Sequence, residues 1–221
     1  MADLAGSKGG GVNKGDWERV LSERPLIAIL RGLRPEEAAA IGEALVAAGI
    51  LCAEVPLNSP DAPASIAILR ERHGHRLMVG AGTVLSAQDV AVVAANGAQL
   101  VVSPNTNAAV IAATKKAGLV SLPGFVTPSE AFAALEAGAD ALKAFPTDLV
   151  SPAALRALQE VLPAGTPVIP VGGVTRENMA DYRKAGAAGF GIGSVIYRRG
   201  SDAQSVLKNA MTFVEAFHAI S

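Results

Sequence analysis

Cysteine is nearly absent: Cys52 is the only one in 221 residues. One thiol excludes both an internal disulfide framework and a thiolate cage for a metal ion. Histidine is scarce as well, and the close pair His73 and His75 lies in the polar stretch Glu71 to Arg76, which reads as surface rather than as a metal site. No excess of either charge is present, since 19 basic residues meet 20 acidic ones for a net charge of −1. That balance offers no footprint for nucleic acid or for an anionic membrane surface. No apolar run reaches the ~18 residues of a membrane span. The first fifteen residues are rich in Gly, Ser and Lys and lack the apolar core of a secretory signal. The expectation is a flexible tail over 1–15, one catalytic domain over 16–221, and a soluble, cytoplasmic protein. What the chain does have is apolar bulk: at 50% hydrophobic and 18% charged residues, it is equipped for a large core.

That bulk is periodic. After a short opening helix marked by Trp17, Val20 and Leu21, one unit recurs: an apolar run, a polar or glycine-rich turn, an alanine-rich amphipathic segment, and a glycine. The apolar runs are Leu26–Leu30, Leu51–Leu57, Leu77–Ala81, Leu100–Ser103, Val120–Leu122, Ala141–Phe145, Val168–Val171 and Gly189–Ile192. Near-continuous hydrophobic strands are expected where both faces of a parallel sheet are covered. Helix starts are marked by Pro35-Glu36-Glu37, Ser86, Pro128-Ser129-Glu130, Ser151-Pro152 and Thr175. Helix stops are marked by Gly49, Gly74, Gly97, Gly118, Gly138, Gly165 and Gly186, in the manner of left-handed C-caps. Eight strand–helix units favour an α/β fold of the (β/α)8 TIM-barrel type over an open doubly wound sheet.

Within the sixth run, Ala141-Leu142-Lys143-Ala144-Phe145-Pro146, a single lysine stands among apolar neighbours. Two readings are open. A desolvated ammonium loses its proton more easily, and the free amine forms a Schiff base with a ketone. Alternatively, the head snorkels from a strand end into water. In a barrel the chemistry collects at the carboxyl ends of the strands. Those ends supply Arg31, Glu54 and Asn58, Thr83, Pro104, Lys143, Gly172-Gly173 and Gly193-Ser194. Side chains two apart share a face, and even-numbered strands share an interior layer. Glu54 of the second strand and Lys143 of the sixth are thus expected to face one another across the lumen, as base and nucleophile or as a buried ion pair. The two glycine clusters fall after strands seven and eight, where this fold holds phosphate on backbone amides, although tight turns also demand glycine. Arg31 is positioned to take a carboxylate at the other end.

Taken together and in order, the strings PLIAILRG, EVPLNSP, GAGTV, SPN, LPG, ALKAFP and VGGV resemble the class I 2-dehydro-3-deoxy-phosphogluconate and -phosphogalactonate aldolases, from about Pro25 to the C-terminus. The resemblance implies a homotrimeric (β/α)8 barrel with no metal or other cofactor, acting on a phosphorylated 2-keto-3-deoxy acid. It implies Lys143 as the Schiff-base residue, Glu54 as general acid/base and Thr83 against the pyruvyl portion; Pro104, from the end of the fourth strand, is counted with the substrate-side residues. Two positions depart from the phosphogluconate pattern: Asn58 stands where an arginine is usual, and Val171 where a threonine is usual. Both make the chain similar to the phosphogalactonate branch, whose substrate is inverted at C4. The gluconate epimer and a sugar-phosphate epimerase or isomerase are the rival activities, separated by whether borohydride traps an imine on Lys143. A silent phosphate-sugar sensor is the non-enzymatic rival, and it requires Lys143 or Glu54 to be missing.

Overall fold

The computed structural model describes residues 14–220. The tail expected over 1–15 lies outside them except for Lys14 and Gly15, which already belong to the opening helix α1, Lys14–Glu23. Nine parallel strands follow: β1 Leu26–Ile29, β2 Cys52–Pro56, β3 Met78–Gly82, β4 Leu100–Val102, β5 Val120–Leu122, β6 Gly124–Phe125, β7 Leu142–Ala144, β8 Val168–Pro170 and β9 Phe190–Ile192. Strand order is β5-β4-β3-β2-β1-β9 in one sheet and β6-β7-β8 in the other. Two junctions join these into one ring of eight staves. The chain passes directly from β5 to β6 through Pro123, and an isolated parallel bridge between Val171 and Gly191 links β8 to β9. The TIM-barrel expectation therefore holds, with one addition: the fifth run, Val120–Leu122, is found as β5, and the same stave continues past Pro123 as β6. Proline cannot donate to the ladder, so pairing breaks at Pro123 and resumes one residue later.

The helices between the staves are α2 Pro35–Ala47, α3 Ala62–His73, α4 Ala87–Ala95, α5 Ala108–Lys116, α6 Pro128–Glu136, α7 Pro152–Gln159, α8 Met179–Lys184 and α9 Ala203–His218. Capping follows the sequence at Ser86 and Ser151, whose hydroxyls accept from the backbone three residues on. It fails at Thr175. There the hydroxyl accepts from Asn178 N–H and closes a turn, and the helix begins only at Met179. Six of the seven expected stop glycines take positive φ, from 72° to 98°. Gly74 does not: at φ −61° it simply extends the end of α3. That helix also carries His73 inward. The ring is 5% exposed, and Nε2 lies 2.9 Å from the Ala39 carbonyl, so the surface reading of His73 is corrected.

Two apolar clusters result. The larger lies between staves and helices. The smaller fills the lumen, with Ile27, Ile29, Cys52, Met78, Leu100, Val102, Val120, Leu122, Ala141, Ile169 and Val171. Trp17 and Val20 of α1 belong to this inner cluster, so α1 stoppers the end of the barrel opposite the strand carboxyl ends. Cys52 is fully buried there, and its thiol pKa is raised by desolvation and by the neighbouring Glu54 charge. It packs as a small hydrophobe.

Candidate active site

Strand alternation delivers the two chemical residues. Cys52 and Ala141 both point into the lumen, so Glu54 and Lys143, each two residues further on, share that face one layer nearer the mouth. Glu54 is 2% exposed and Lys143 6%. The buried ion pair that was one expectation is not formed: no ion pair or hydrogen bond joins the two side chains, and Glu54 Oε2 has no hydrogen-bond partner. Lys143 Nζ instead rests 4.5 Å from the centroid of the Phe145 ring.

Burial decides the protonation of both groups. Desolvation pushes the Glu54 carboxyl up to about 7, against the opposing pull of the Lys143 and Arg31 charges. Desolvation also holds the Lys143 ammonium below its usual pKa; Glu54 opposes this, and the Arg31 charge adds to it. A carboxyl that titrates near neutrality beside an amine that deprotonates easily is the pairing needed to form and discharge an imine.

Why the carboxylate stays so close-packed is explained by Gly82, at the end of β3. A β-carbon there would lie 1.8 Å from Glu54 Oε2 and 2.4 Å from its Cδ. Gly82→Ala must therefore displace the carboxylate while the strand ladder remains. The expected result is a folded protein, by circular dichroism, whose turnover falls about 10²-fold, the cost of misplacing a catalytic group by ~1 Å.

At Lys143 opens a cavity of about 610 Å³, lined by Lys143 and Phe145, by Ile29 and Arg31, and by the loops after β8 and β9, with Glu54 behind its wall. Gly172 and Gly173 have φ of +82° and +86°, and Gly172 lies against the Phe145 ring. The Gly172 carbonyl accepts from the Thr147 hydroxyl, which anchors the turn. The amides of Gly173, Val174, Ser194 and Val195 make no hydrogen bond to another described residue. They offer an anion a nest of N–H groups built by turns. The helix N-terminus expected at Thr175 takes no part, since α8 starts at Met179.

Arg31 Nη1 donates to Asn58 Oδ1 at 2.7 Å, so the two residues at the ends of the first two staves act as one unit at the rim. Thr83 sits at the end of β3 with φ 55°, a left-handed conformation that a β-branched residue rarely adopts. Val171 is 4% exposed, belongs to the lumen cluster and lines the cavity beside Gly172. Pro104 is not among the cavity-lining residues; its carbonyl packs on Gly124, leaving no space there for a β-carbon. Sequence reasoning missed Tyr197 and Arg198, which line the cavity, and the fit of Gly82 beneath Glu54. No periodic signal marks side chains four and five residues past a glycine turn. Among the described residues, no group of three or more His, Cys, Asp or Glu side chains could hold a metal ion, and no helix is long and apolar enough to cross a membrane.

A parallel barrel with these groups at its mouth, together with its relatives, defines a carbon–carbon lyase of the aldolase class. More particularly, the chain belongs to the KDPG and KHG aldolase family, whose model matches residues 17–209. It is similar to the 2-dehydro-3-deoxy-6-phosphogalactonate aldolase of Escherichia coli (strain K12), with 45% identity over 201 residues covering 91% of this chain and 97% of that protein. A solved structure described as "Native KDPGal structure" superposes with a TM-score of 0.88 at 44% identity, covering 90% of this chain and 97% of that one. The KDPG aldolase of Legionella pneumophila, solved with pyruvate captured as a covalent carbinolamine, is more distant: TM-score 0.78, 27% identity, covering 87% of this chain and 95% of that one.

Proposed function

We propose that this protein cleaves 2-dehydro-3-deoxy-6-phospho-D-galactonate to pyruvate and D-glyceraldehyde 3-phosphate through a Schiff base on Lys143. The observation that carries the reading is Lys143 itself, an amine 6% exposed yet lining an open cavity. The carbinolamine captured with pyruvate in the Legionella relative supports a covalent route. The galactonate assignment draws on the E. coli relative, and on Val171 and Asn58.

The chemistry proceeds as follows. The neutral Lys143 amine attacks the C2 ketone to give a carbinolamine, and loss of water leaves an iminium. Glu54, as carboxylate, takes the C4 hydroxyl proton; the C3–C4 bond breaks and its electron pair passes into the iminium, giving an enamine. Glyceraldehyde 3-phosphate departs. Glu54 returns the proton to C3, and water hydrolyses the iminium to release pyruvate and the amine. Arg31, held by Asn58, takes the substrate carboxylate, Thr83 borders the pyruvyl end, and the amides around Gly172, Gly173, Gly193 and Ser194 take the phosphate; Pro104, packed on Gly124, has no part in it. The homotrimer expected from the resemblance and the cytoplasmic setting expected from the composition belong to this proposal.

Pyruvate release from the two C4 epimers, measured side by side, tests the substrate. The galactonate epimer is expected to react faster. Val171→Thr places a hydroxyl on the cavity wall, and a site that hydrogen-bonds a substrate hydroxyl discriminates far better than an apolar one. The variant is expected to shift the ratio of kcat/KM values toward the gluconate epimer by about 10-fold, the scale of one net hydrogen bond. Equal rates for both epimers on the unmodified protein would remove the galactonate assignment while leaving the reaction class intact.

A further inference from the structure

The phosphate nest as described has amides but no full charge. A phosphate ester carries about −1.5 to −2 near neutral pH. The basic side chains lining the cavity are Arg31, Lys143 and Arg198. Lys143 must be neutral to react, and Arg31 is bound to Asn58. Arg198 is left over. We propose that Arg198 is the charge partner of the substrate phosphate, and that it sets the preference of this aldolase for phosphorylated over unphosphorylated aldehydes; the proposal rests on the retro-aldol reading above.

Several contacts fix Arg198 where such a partner is needed. Tyr197, its neighbour, is 2% exposed, donates its N–H to the Gly193 carbonyl at 3.1 Å, and donates its hydroxyl to Glu37 Oε2 at 3.1 Å. Arg198 N–H is held by Ser201 Oγ at 3.1 Å. The side chain then folds back, and Nε–H donates to the Ser194 carbonyl at 2.9 Å. That bond lays the guanidinium along the same turn that bears the free amides of Ser194 and Val195. It uses only Nε, so both Nη groups remain as a fork, the geometry that suits two phosphate oxygens.

Of the other arginines near the mouth, Arg199 lies along Gly32 and does not line the cavity, and two are already committed. Arg34 pairs with Glu37 at 2.6 Å and Glu36 at 3.3 Å, and Arg176 lies 3.8 Å from Glu177. Arg198 makes no ion pair among the described residues and shares its cavity with both glycine turns. A cation tethered by its own backbone neighbours but not neutralised is the arrangement that a transient anionic ligand requires.

The test is condensation of pyruvate with D-glyceraldehyde 3-phosphate and, separately, with D-glyceraldehyde, using the unmodified protein, Arg198→Gln and Arg198→Lys. In Arg198→Gln, the ratio of kcat/KM with the phosphorylated aldehyde to that with the plain one is expected to fall about 30-fold, mainly through KM. That is the scale of a hydrogen bond to a charged group. Competitive inhibition by inorganic phosphate is expected to weaken in parallel. Arg198→Lys keeps the charge and loses the Nε tether, so it is expected to recover most of both effects. A ratio unchanged in Arg198→Gln overturns the assignment. So does an Arg198→Lys protein as poor as Arg198→Gln, because the tether and not the charge would then matter. Failure of the unmodified protein with both aldehydes sinks the aldolase reading itself, which keeps the two failures distinct.

Discussion

Lys143→Ala is expected to abolish turnover, with a loss on the order of 10⁴-fold or more, as removing a covalent nucleophile does. The reason is chemical: without an imine there is no electron sink for the C3–C4 bond, and no other lysine or cysteine lines the cavity to replace it. Mass spectrometry after borohydride reduction with pyruvate gives the sharper readout. The unmodified protein is expected to gain one reduced pyruvyl adduct, mapped to Lys143, and the alanine variant none. An epimerase or isomerase working by proton transfer alone gains no adduct in either case. A Lys143→Ala protein that still releases pyruvate at near-normal rate would falsify the mechanism. The variant loses an ammonium that is costly to bury, so the fold is expected to survive.

Glu54→Gln carries the second large effect, a fall of about 10²–10⁴ in kcat from loss of proton transfer. The imine adduct is expected to form still, which separates the base from the nucleophile. The pH dependence has a definite sign. The native carboxyl titrates at about 7 instead of its usual 4.5, because burial penalises its charge. Cleavage needs the carboxylate, so kcat/KM is expected to rise with pH through about 7 and to lose that limb in Glu54→Gln. Stability runs the other way. Between pH 4.5 and about 7 the native chain binds more protons at Glu54 than the unfolded chain does, so stability falls as pH rises through that window. Relative to the unmodified protein, Glu54→Gln is expected to gain about 3 kcal/mol between pH 4 and pH 8, from the size of the shift. Urea denaturation of both proteins at the two pH values measures it. Parallel stability profiles would mean that Glu54 is already well solvated.

Such a gain is also a statement about function. An unpartnered buried carboxylate is tolerated only where something uses it, and Glu54 Oε2 has no partner. Gly82 admits it, the lumen dries it, and Lys143 and Arg31 keep its pKa from climbing further.

Much of this was legible along the chain. Each unit is local: an apolar run, a cap, an amphipathic segment and a glycine stop, all within a span of about one strand and one helix. Lys143 was conspicuous because a lone amine between apolar neighbours breaks the strand pattern, and period two placed it with Glu54 on the inner face. Misreadings and omissions arose where a local signal met a tertiary demand. Thr175 has cap chemistry, yet the chain after Gly173 turns once more before α8 begins at Met179. Pro123 lies between two apolar pieces, and the break appears only once β4 and β7 are seen to pair with different halves of that stave. His73 sits in a polar stretch and is buried because α2 covers that side of α3.

By itself, the amino-acid order determined the repeating unit, the closed-barrel class, the face on which Lys143 and Glu54 stand, and the glycine turns after the last two staves. Those properties are set by neighbours in the chain, through dihedral preference and periodicity. Only the tertiary structure decided that Glu54 lies on the bare backbone of Gly82, that Asn58 holds Arg31, and that Arg198 folds its Nε back onto the Ser194 carbonyl. Those relations join residues distant in sequence, and their distances exist only once the ring has closed.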